Sequence, residues 1–344
     1  MKVILIGLGM VAGTHLLAIR DAKPAVTLIG VVGRDPVRSK AFAEQASGTL
    51  GYAVPALADA DDTAIDEADF IIIATPPDAR KDLVTSLVAA RKPILMEKPV
   101  ERTLDAAREI VALCDNANVP LGVFLQHRAR AASGDLRDAL ATGSLGDVAM
   151  VDIRVPWWRD QEYYDVPGRG TYARDGGGVM INQAIHTLDL ALWLLGPVTS
   201  LQAQMHRTPL HDLEAEDRAA ALLTFASGAV GTLTATTAAW PGGPESIAIQ
   251  GTRASAHLMS GVLKLHGLDG TVTTSGETAA TGGGADPMAF THAWHQTVLE
   301  DFAASLLSGK EPLASGRSAL SAQAVIAAME TAARTGSVTE VSRL

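Results

Sequence analysis

Cysteine is almost missing from this 344-residue chain: Cys114 stands alone, so an intrachain disulfide framework and a cysteine-rich zinc site are both excluded. That usage suits a reducing compartment, and the cytoplasm is the expected location. Aromatic residues are scarce at 4%, and positive charge is outweighed, with 28 Lys and Arg against 38 Asp and Glu and a net charge of −10. So acidic a chain has no bulk attraction for nucleic acid or an anionic membrane, and neither partner is expected. No run of about 18 or more apolar residues occurs, so no segment is expected to span a membrane. The opening segment has the outline of a leader: a lysine, apolar residues, then small ones. Gly7 and Gly9 interrupt it, His15 and Arg20 follow, and no A-x-A-like cleavage site closes it, which predicts a folded start instead.

What the chain does have is apolar mass. Hydrophobic residues make up 47% and charged residues only 19%, enough for a real interior, and the length predicts two domains. Short apolar runs at Lys2–Ile6, Val26–Val32, Phe70–Ala74, Pro93–Met96 and Leu121–Leu125 alternate with helical patterns through Arg20, from Pro36 to Ala46, and at 78–91 and 103–117. Such alternation predicts a doubly wound parallel sheet, an α/β Rossmann domain over 1–122. A helix follows at 133–142, then strand-like sequence near 147–155, an irregular aromatic stretch, and a helix at about 178–195. Consecutive strands come next at 199–206, 219–226, 229–237, 245–251, 254–259 and 262–266, and helices at 290–308 and 317–335 close the chain. Strands without intervening helices predict an antiparallel sheet, hence an α+β domain over 123–344.

Gly7-Leu8-Gly9-Met10-Val11-Ala12 fits G-x-G-x-x-A directly after the first strand, where it opens a helix. The first glycine permits the tight turn and the second lets the backbone approach a pyrophosphate. The small third residue allows close helix–strand packing, and the helix N-terminus offers its N–H groups. Gly7, Gly9, Met10, Val11 and Ala12 are therefore cofactor candidates. The second strand ends in Gly33 where an NAD site usually has Asp or Glu, and Arg34 comes next. Arg34 can grip a 2′-phosphate, can stack on adenine, or can simply begin a solvated helix capped by Asp35. The reading leans to NADP over NAD.

Two further segments carry chemistry. Glu97-Lys98-Pro99 follows a strand at the carboxyl edge of the parallel sheet, where ligands bind. In the helix after Gly176-Gly177-Gly178, Asn182, His186, Asp189 and Trp193 form a polar stripe beside an apolar one, the pattern of a helix facing a cleft. Five of the nine Trp and Tyr residues fall between 157 and 172, with Arg159 and Arg169 among them. Aromatic faces with Arg forks suit a polyol ring carrying hydroxyl, carboxylate or phosphate groups, and they equally suit a subunit interface. His206 and His211 sit among Asp212, Glu214, Glu216 and Asp217 without convincing ligand spacing; they read as a solvated loop, and no metal is expected. His292 and His295 read as capping or packing residues, with contact to substrate as the alternative.

GLGMVAGTH at the start, ATPP at 74–77, EKP at 97–99 and GGGxxxxxxxH ending at His186 together resemble the Gfo/Idh/MocA family, the glucose–fructose oxidoreductase and inositol dehydrogenase group. The resemblance implies a Rossmann domain followed by a domain with a large, open, mostly antiparallel sheet. It implies that Lys98 is the catalytic lysine, that His186 carries the proton, and that Lys98–Pro99 is a cis peptide. Thr75, Pro76, Glu97 and Lys98 join the cofactor set. Lys98, Arg159, Tyr163, Tyr164, Arg169, Asn182, Gln183 and His186 form the substrate set. Many members have Asp where this chain has Asn182, and the NQxIH form looks more like the branch acting on nucleotide-linked, amino or uronic sugars. Asn can orient His186 or a substrate hydroxyl but cannot accept a proton, which argues against a Lys–Asp–His relay. The expected activity is hydride transfer between NAD(P) and a secondary alcohol of a sugar or polyol. A glycoside-cleaving enzyme with retained NAD and a cofactor-sensing regulatory protein are the alternatives. A homodimer or homotetramer through the open sheet is expected by fold-level analogy.

Overall fold

The run after Met1 forms β1 (Lys2–Ile6), buried over its last four residues as a strand covered on both faces must be. A glycine turn leads into α1 (Ala12–Asp21). The alternation continues through β2 (Thr27–Val32), α2 (Pro36–Leu50), β3 (Ala56–Leu57), α3 (Asp62–Glu67), β4 (Phe70–Ile73), α4 (Lys81–Ala89), β5 (Ile94–Glu97), α5 (Leu104–Asn116) and β6 (Leu121–Phe124). These six strands make one parallel sheet in the order β3-β2-β1-β4-β5-β6. The strand order reverses between β1 and β4, which leaves a crevice at their carboxyl ends. The computed structural model describes residues 1–23, 25–58, 62–280, 282–284 and 286–344.

Beyond β6 come α6 (Ala131–Ala141), β7 (Val148–Pro156), α7 (Gln161–Tyr164) and α8 (Ile185–Leu195). The strands β8 (Val198–His206), β9 (Arg218–Phe225), β10 (Val230–Thr236), β11 (Ser246–Gly251), β12 (Ala254–Met259), β13 (Val262–Gly267) and β14 (Val272–Gly276) follow. With β15 (Thr339–Glu340) they form a nine-stranded sheet, β14-β13-β12-β11-β7-β10-β9-β8-β15. Every pairing is antiparallel except β7 with β10. One face buries Val151, Ile153 and Val155 of β7 together with Leu188 and Leu192 of α8, while alternate residues such as Met150 and Leu222 stay exposed. The expected fold class is the observed one. Several pieces were not read from sequence: β3, α3, α7, β14 and β15 are short or polar, so their periodicity is too brief to stand out.

The last helices, α9 (Ala293–Ser308) and α10 (Gly316–Thr335), change the domain plan. The first compact unit comprises Met1–Glu101, Asp105–Gln126 and His292–Ala319, and the second takes Arg102–Leu104, His127–Thr291 and Leu320–Leu344. A single cut at residue 122 therefore does not describe the chain, because α9 returns to the first unit. Its apolar stripe of Val298, Leu299, Phe302 and Ala303 is buried there. Phe302 packs edge-on to Phe70 at 5.5 Å and fills the space beside Gly122, where a β-carbon would lie 2.6 Å from its ring. Burying one such phenyl group stabilises by about 1.5–3 kcal/mol, which no solvated position for α9 offers. Among the described residues, no helix is long and apolar enough to cross a membrane.

Candidate active site

In the first unit, parallel register brings the motif residues to one edge. Ile6 pairs with Val32 and Ile73, and Ile73 with Met96, so Gly7, Gly33, Ala74 and Glu97 leave or end their strands side by side. Gly7 has φ +102°, and a β-carbon there would lie 2.5 Å from the Ala74 carbonyl carbon. Its N–H donates to Val32 O at 2.9 Å, which fixes the turn. A β-carbon on Gly9 would come no closer than 4.0 Å to Ala74 O, so the space above it is open for a ligand. Val11 precedes α1 without a side-chain cap, and Met10 is exposed. Ala12 N donates to Gly9 O at 3.2 Å, which leaves the N–H groups that follow it in the first turn of α1 for an anion, as a pyrophosphate site requires. Thr75 Oγ1 is buried at the neighbouring strand end with no hydrogen-bond partner among the described residues. These features fit a dinucleotide.

Asp35 caps α2, accepting from Val37 N and Arg38 N, and Arg34 is exposed beside it. Gly33 has a packing reason of its own: a β-carbon would lie 2.6 Å from Ser39 Oγ and 3.0 Å from Leu8 Cδ1.

The loop bearing Lys98 is organised by a residue that sequence reading passed over. Arg80, 1% exposed, donates to Thr75 O at 2.7 Å and 3.1 Å, to Glu97 O at 2.5 Å and to Pro99 O. One guanidinium therefore ties the ends of β4 and β5 together around the cis Lys98–Pro99 peptide. Burial lowers Arg80 to about 10, so it stays charged at neutral pH. Glu97 turns its side chain inward: His15 Nε2 lies 2.9 Å and His295 Nε2 3.6 Å from Oε1, all three residues being buried. Burial opposes ionisation of Glu97, but the two imidazoles outweigh it and hold the carboxyl well below its usual range. Burial also pulls His295 down. His15 and His295 are thus packing partners of Glu97, and His292 pairs with Asp21 at 2.8 Å.

In the second unit the helix bearing His186 starts with a wide turn, Met180–Ala184, before α8 proper. Gly178 is pressed against β9's approach, where a β-carbon would sit 1.7 Å from Glu216 O. The Glu216 carboxylate caps the helix, accepting from Gly178 N at 3.1 Å and Met180 N at 3.0 Å. Asn182 Nδ2 donates to Gly177 O and Gly178 O. The expected polar stripe is consequently broken: Asn182 turns back to the glycines, Asp189 is fully buried against Arg128 in a two-pronged pair at 2.6 Å and 2.8 Å, and Arg137 covers Trp193. The wide turn disrupts the α-helical phase, and two Arg side chains, Arg128 buried and Arg137 exposed, claim what the pattern assigned to a cleft.

His186 itself is 7% exposed and stacks on His127, with ring centroids 5.0 Å apart. Two of the aromatic-loop candidates, Tyr163 and Arg169, gather near Gln183 at the start of this helix. Gln183 Nε2 donates to Tyr163 Oη at 3.1 Å, and Arg169 lies 4.2 Å over the Tyr163 ring. Gln183 Oε1 is buried with no hydrogen-bond partner among the described residues.

Two substrate candidates, Arg159 and Tyr164, lie buried in the second unit. Arg159 is 2% exposed and donates from Nη1 to Trp158 O and Gly284 O and from Nη2 to Gly282 O, while its buried Nε has no hydrogen-bond partner among the described residues. Tyr164 is buried with Oη 2.5 Å from Thr237 Oγ1, and burial raises its phenol. His211 is no solvated loop residue either. It is buried between Asp217 Oδ2 at 2.7 Å and Arg159 O at 2.8 Å, because a buried carboxylate needs a partner. Among the described residues no three His, Cys, Asp or Glu side chains form a metal set. Sequence reading also missed His127, Arg128, Arg130 and Glu245. The one available signal was three basic side chains at 127–130, directly after β6, in a chain otherwise short of positive charge.

Comparison with known proteins completes the picture. Residues 1–125 match the model of an oxidoreductase family with an NAD-binding Rossmann fold, and residues 134–257 match the GFO/IDH/MocA C-terminal domain. The chain is 29% identical to a D-apiose dehydrogenase of Paraburkholderia graminis over 349 aligned positions, covering 99% of this chain and 89% of the relative. It is 27% identical to an inositol 2-dehydrogenase of Rhizobium meliloti over 253 positions, 72% of each chain. The solved WlbA dehydrogenase of Bordetella pertussis, in complex with NADH and UDP-GlcNAcA, is 26% identical with a TM-score of 0.82, covering 100% of this chain and 99% of that one.

Proposed function

The chain belongs to the Gfo/Idh/MocA oxidoreductase family, and from that premise we propose that it interconverts a secondary alcohol and a ketone on a sugar, polyol or sugar derivative. The observation that carries the reading is the presence of both a lysine on the Arg80-tied loop at the carboxyl edge and a buried histidine on α8. In oxidation the hydroxyl loses its proton to His186 while the carbon loses a hydride, and the reverse delivers both. An imidazole is suited to that proton near neutral pH. The Lys98 ammonium hydrogen-bonds the same oxygen and stabilises the charge that develops on it. When bound, NAD(P) supplies the hydride acceptor or donor. Gly7, Gly9, Met10, Val11 and Ala12 would hold its pyrophosphate, with Thr75, Pro76 and Glu97 lining the adjoining strand ends.

The reading extends to NADP as the better-bound form. Gly33 leaves β2 without a carboxylate for a ribose 2′-hydroxyl, and the exposed Arg34 can grip a 2′-phosphate. Tyr163, Arg169 and Gln183 are the substrate contacts that the geometry supports, offering an aromatic face, a guanidinium and a buried amide oxygen. The relatives' sugars, apiose and inositol, together with UDP-GlcNAcA in the WlbA complex, define the class to screen. We also assign self-association to the open face of the nine-stranded sheet, where Met150, Leu222 and Val230 are exposed; light scattering checks it.

The test is a screen of sugars, inositols and sugar nucleotides with both NAD and NADP, read by absorbance of the reduced nicotinamide. On the best substrate, Lys98→Ala and His186→Ala are each expected to lower turnover about a hundredfold or more. Unchanged turnover in either variant sinks its assigned role. Reduced cofactor formed one-for-one with substrate excludes glycoside cleavage with retained NAD.

A further inference from the structure

The segment between β6 and α6 carries three basic side chains, two of them set against the helix bearing His186, and the proposed chemistry uses none of the three. Arg128 is taken by Asp189. The other two form a chain that ends on His186. The His127 ring stacks on His186 with its plane inclined by 29°, Arg130 Nη2 lies 2.5 Å from His127 Nε2, and Arg130 Nη1 donates to Glu245 Oε1 at 2.7 Å. His127, Arg130 and Glu245 are each 5% exposed or less.

The contact between Arg130 and His127 can be made in only one way. A guanidinium has donors and no acceptor, so His127 Nε2 must accept. The ring proton then sits on Nδ1, and His127 is neutral for as long as the contact holds. Glu245 balances the charge that Arg130 brings. An ion pair this deeply buried offers little net stability over apolar side chains of the same shape, so stability alone does not explain it.

We propose that His127 is a positioning residue for His186: pinned as its neutral Nδ1–H tautomer by Arg130 and Glu245, it fixes the plane of the His186 imidazole and leaves His186 as the ring of the stacked pair that takes up a proton. Two charged imidazoles face to face would repel, and the Arg130 contact forbids that state on the His127 side. On the helix and its cap, Asp189 pairs with Arg128, and Glu216 accepts from the N–H groups that open the helix. The inference rests on His186 being the proton carrier.

Two measurements on the full-length protein saturated with cofactor test it separately. Long-range proton–nitrogen spectra of histidine-labelled protein are expected to show His127 as the Nδ1–H tautomer, unchanged as pH is lowered through the ordinary histidine range. In the double variant Arg130→Met with Glu245→Gln, which leaves no lone buried charge, His127 is expected to titrate. An Nε2–H tautomer or an imidazolium at neutral pH in the parent protein overturns the proposal. In kinetics on the sugar found by the screen, His127→Ala is expected to lower kcat about tenfold or more with KM within about twofold. His127→Phe, which keeps a ring to stack, is expected to recover most of that loss. Parent kcat and an unchanged pH profile in folded His127→Ala, with cofactor affinity intact, also overturn it. If His186→Ala keeps full turnover, the proton-carrier reading fails, whereas the tautomer spectra still report on His127.

Discussion

In the first unit the candidate residues are held through the backbone: Gly7 turns against the Ala74 peptide, and Arg80 gathers the carbonyls of Thr75, Glu97 and Pro99. In the second unit, α8 is held by buried side-chain charge, with Asp189 on Arg128, Glu216 on the helix N–H groups and Arg130 on Glu245 behind the stacked histidines. A backbone-built site tolerates many side chains but few changes of φ. A charge-built site tolerates backbone adjustment but not the loss of one partner. Each unit should therefore fail in its own way.

The largest effect is expected at the buried pair of α8. Asp189→Ala strands the Arg128 charge in the interior, and a loss of about 3–5 kcal/mol is expected by chemical denaturation. Arg128→Met with Asp189→Leu should recover most of it, and a double variant as unstable as the single one breaks the contrast between the units. Next comes Gly7→Ala. The strained φ and the contact with Ala74 predict a loss of about 1–3 kcal/mol, together with weaker NAD(P) binding by fluorescence titration. Unaltered cofactor affinity would mean that the turn does not shape the site. Arg169→Ala is expected to raise KM about tenfold while leaving the melting temperature within about 2 °C, since Arg169 is half-exposed and its guanidinium lies over the Tyr163 ring. A change in kcat at constant KM would remove it from substrate binding.

The smallest expected effect is confined to acid pH. Glu97 has a folded pKa held below its ordinary value of 4.5, so its contribution is fully present above that value and is lost as pH falls toward the depressed one. Glu97→Gln should flatten the fall in melting temperature over that acid window. An identical pH dependence in parent and variant would show that Glu97 carries no such linkage.

The first unit was the more legible of the two. The glycine turn, the alternation of strands with helices and the residues at strand ends are local features, because in a parallel sheet the register alone aligns Gly7, Ala74 and Glu97. Arg80 was not legible, since an arginine before a helix looks the same whether it is solvated or threaded into five carbonyl contacts. In the second unit the histidine and its glycines were visible, and the consecutive strands were too. The partners were not: His127 lies 59 positions before His186, and Glu245 lies 115 positions beyond Arg130. Nothing in local periodicity says that such residues meet. Nor was it legible that Arg159 is buried against Gly284 O and Tyr164 against Thr237.

By itself the sequence determined the fold class and the glycine turn that suits a dinucleotide, because hydrophobic period and turn chemistry act over a few residues. Only the tertiary structure decided which charges are buried against which, that α9 covers the first unit, and that a second histidine stacks on His186. Those outcomes depend on desolvation, and desolvation is a property of everything that packs around a group rather than of its neighbours along the chain.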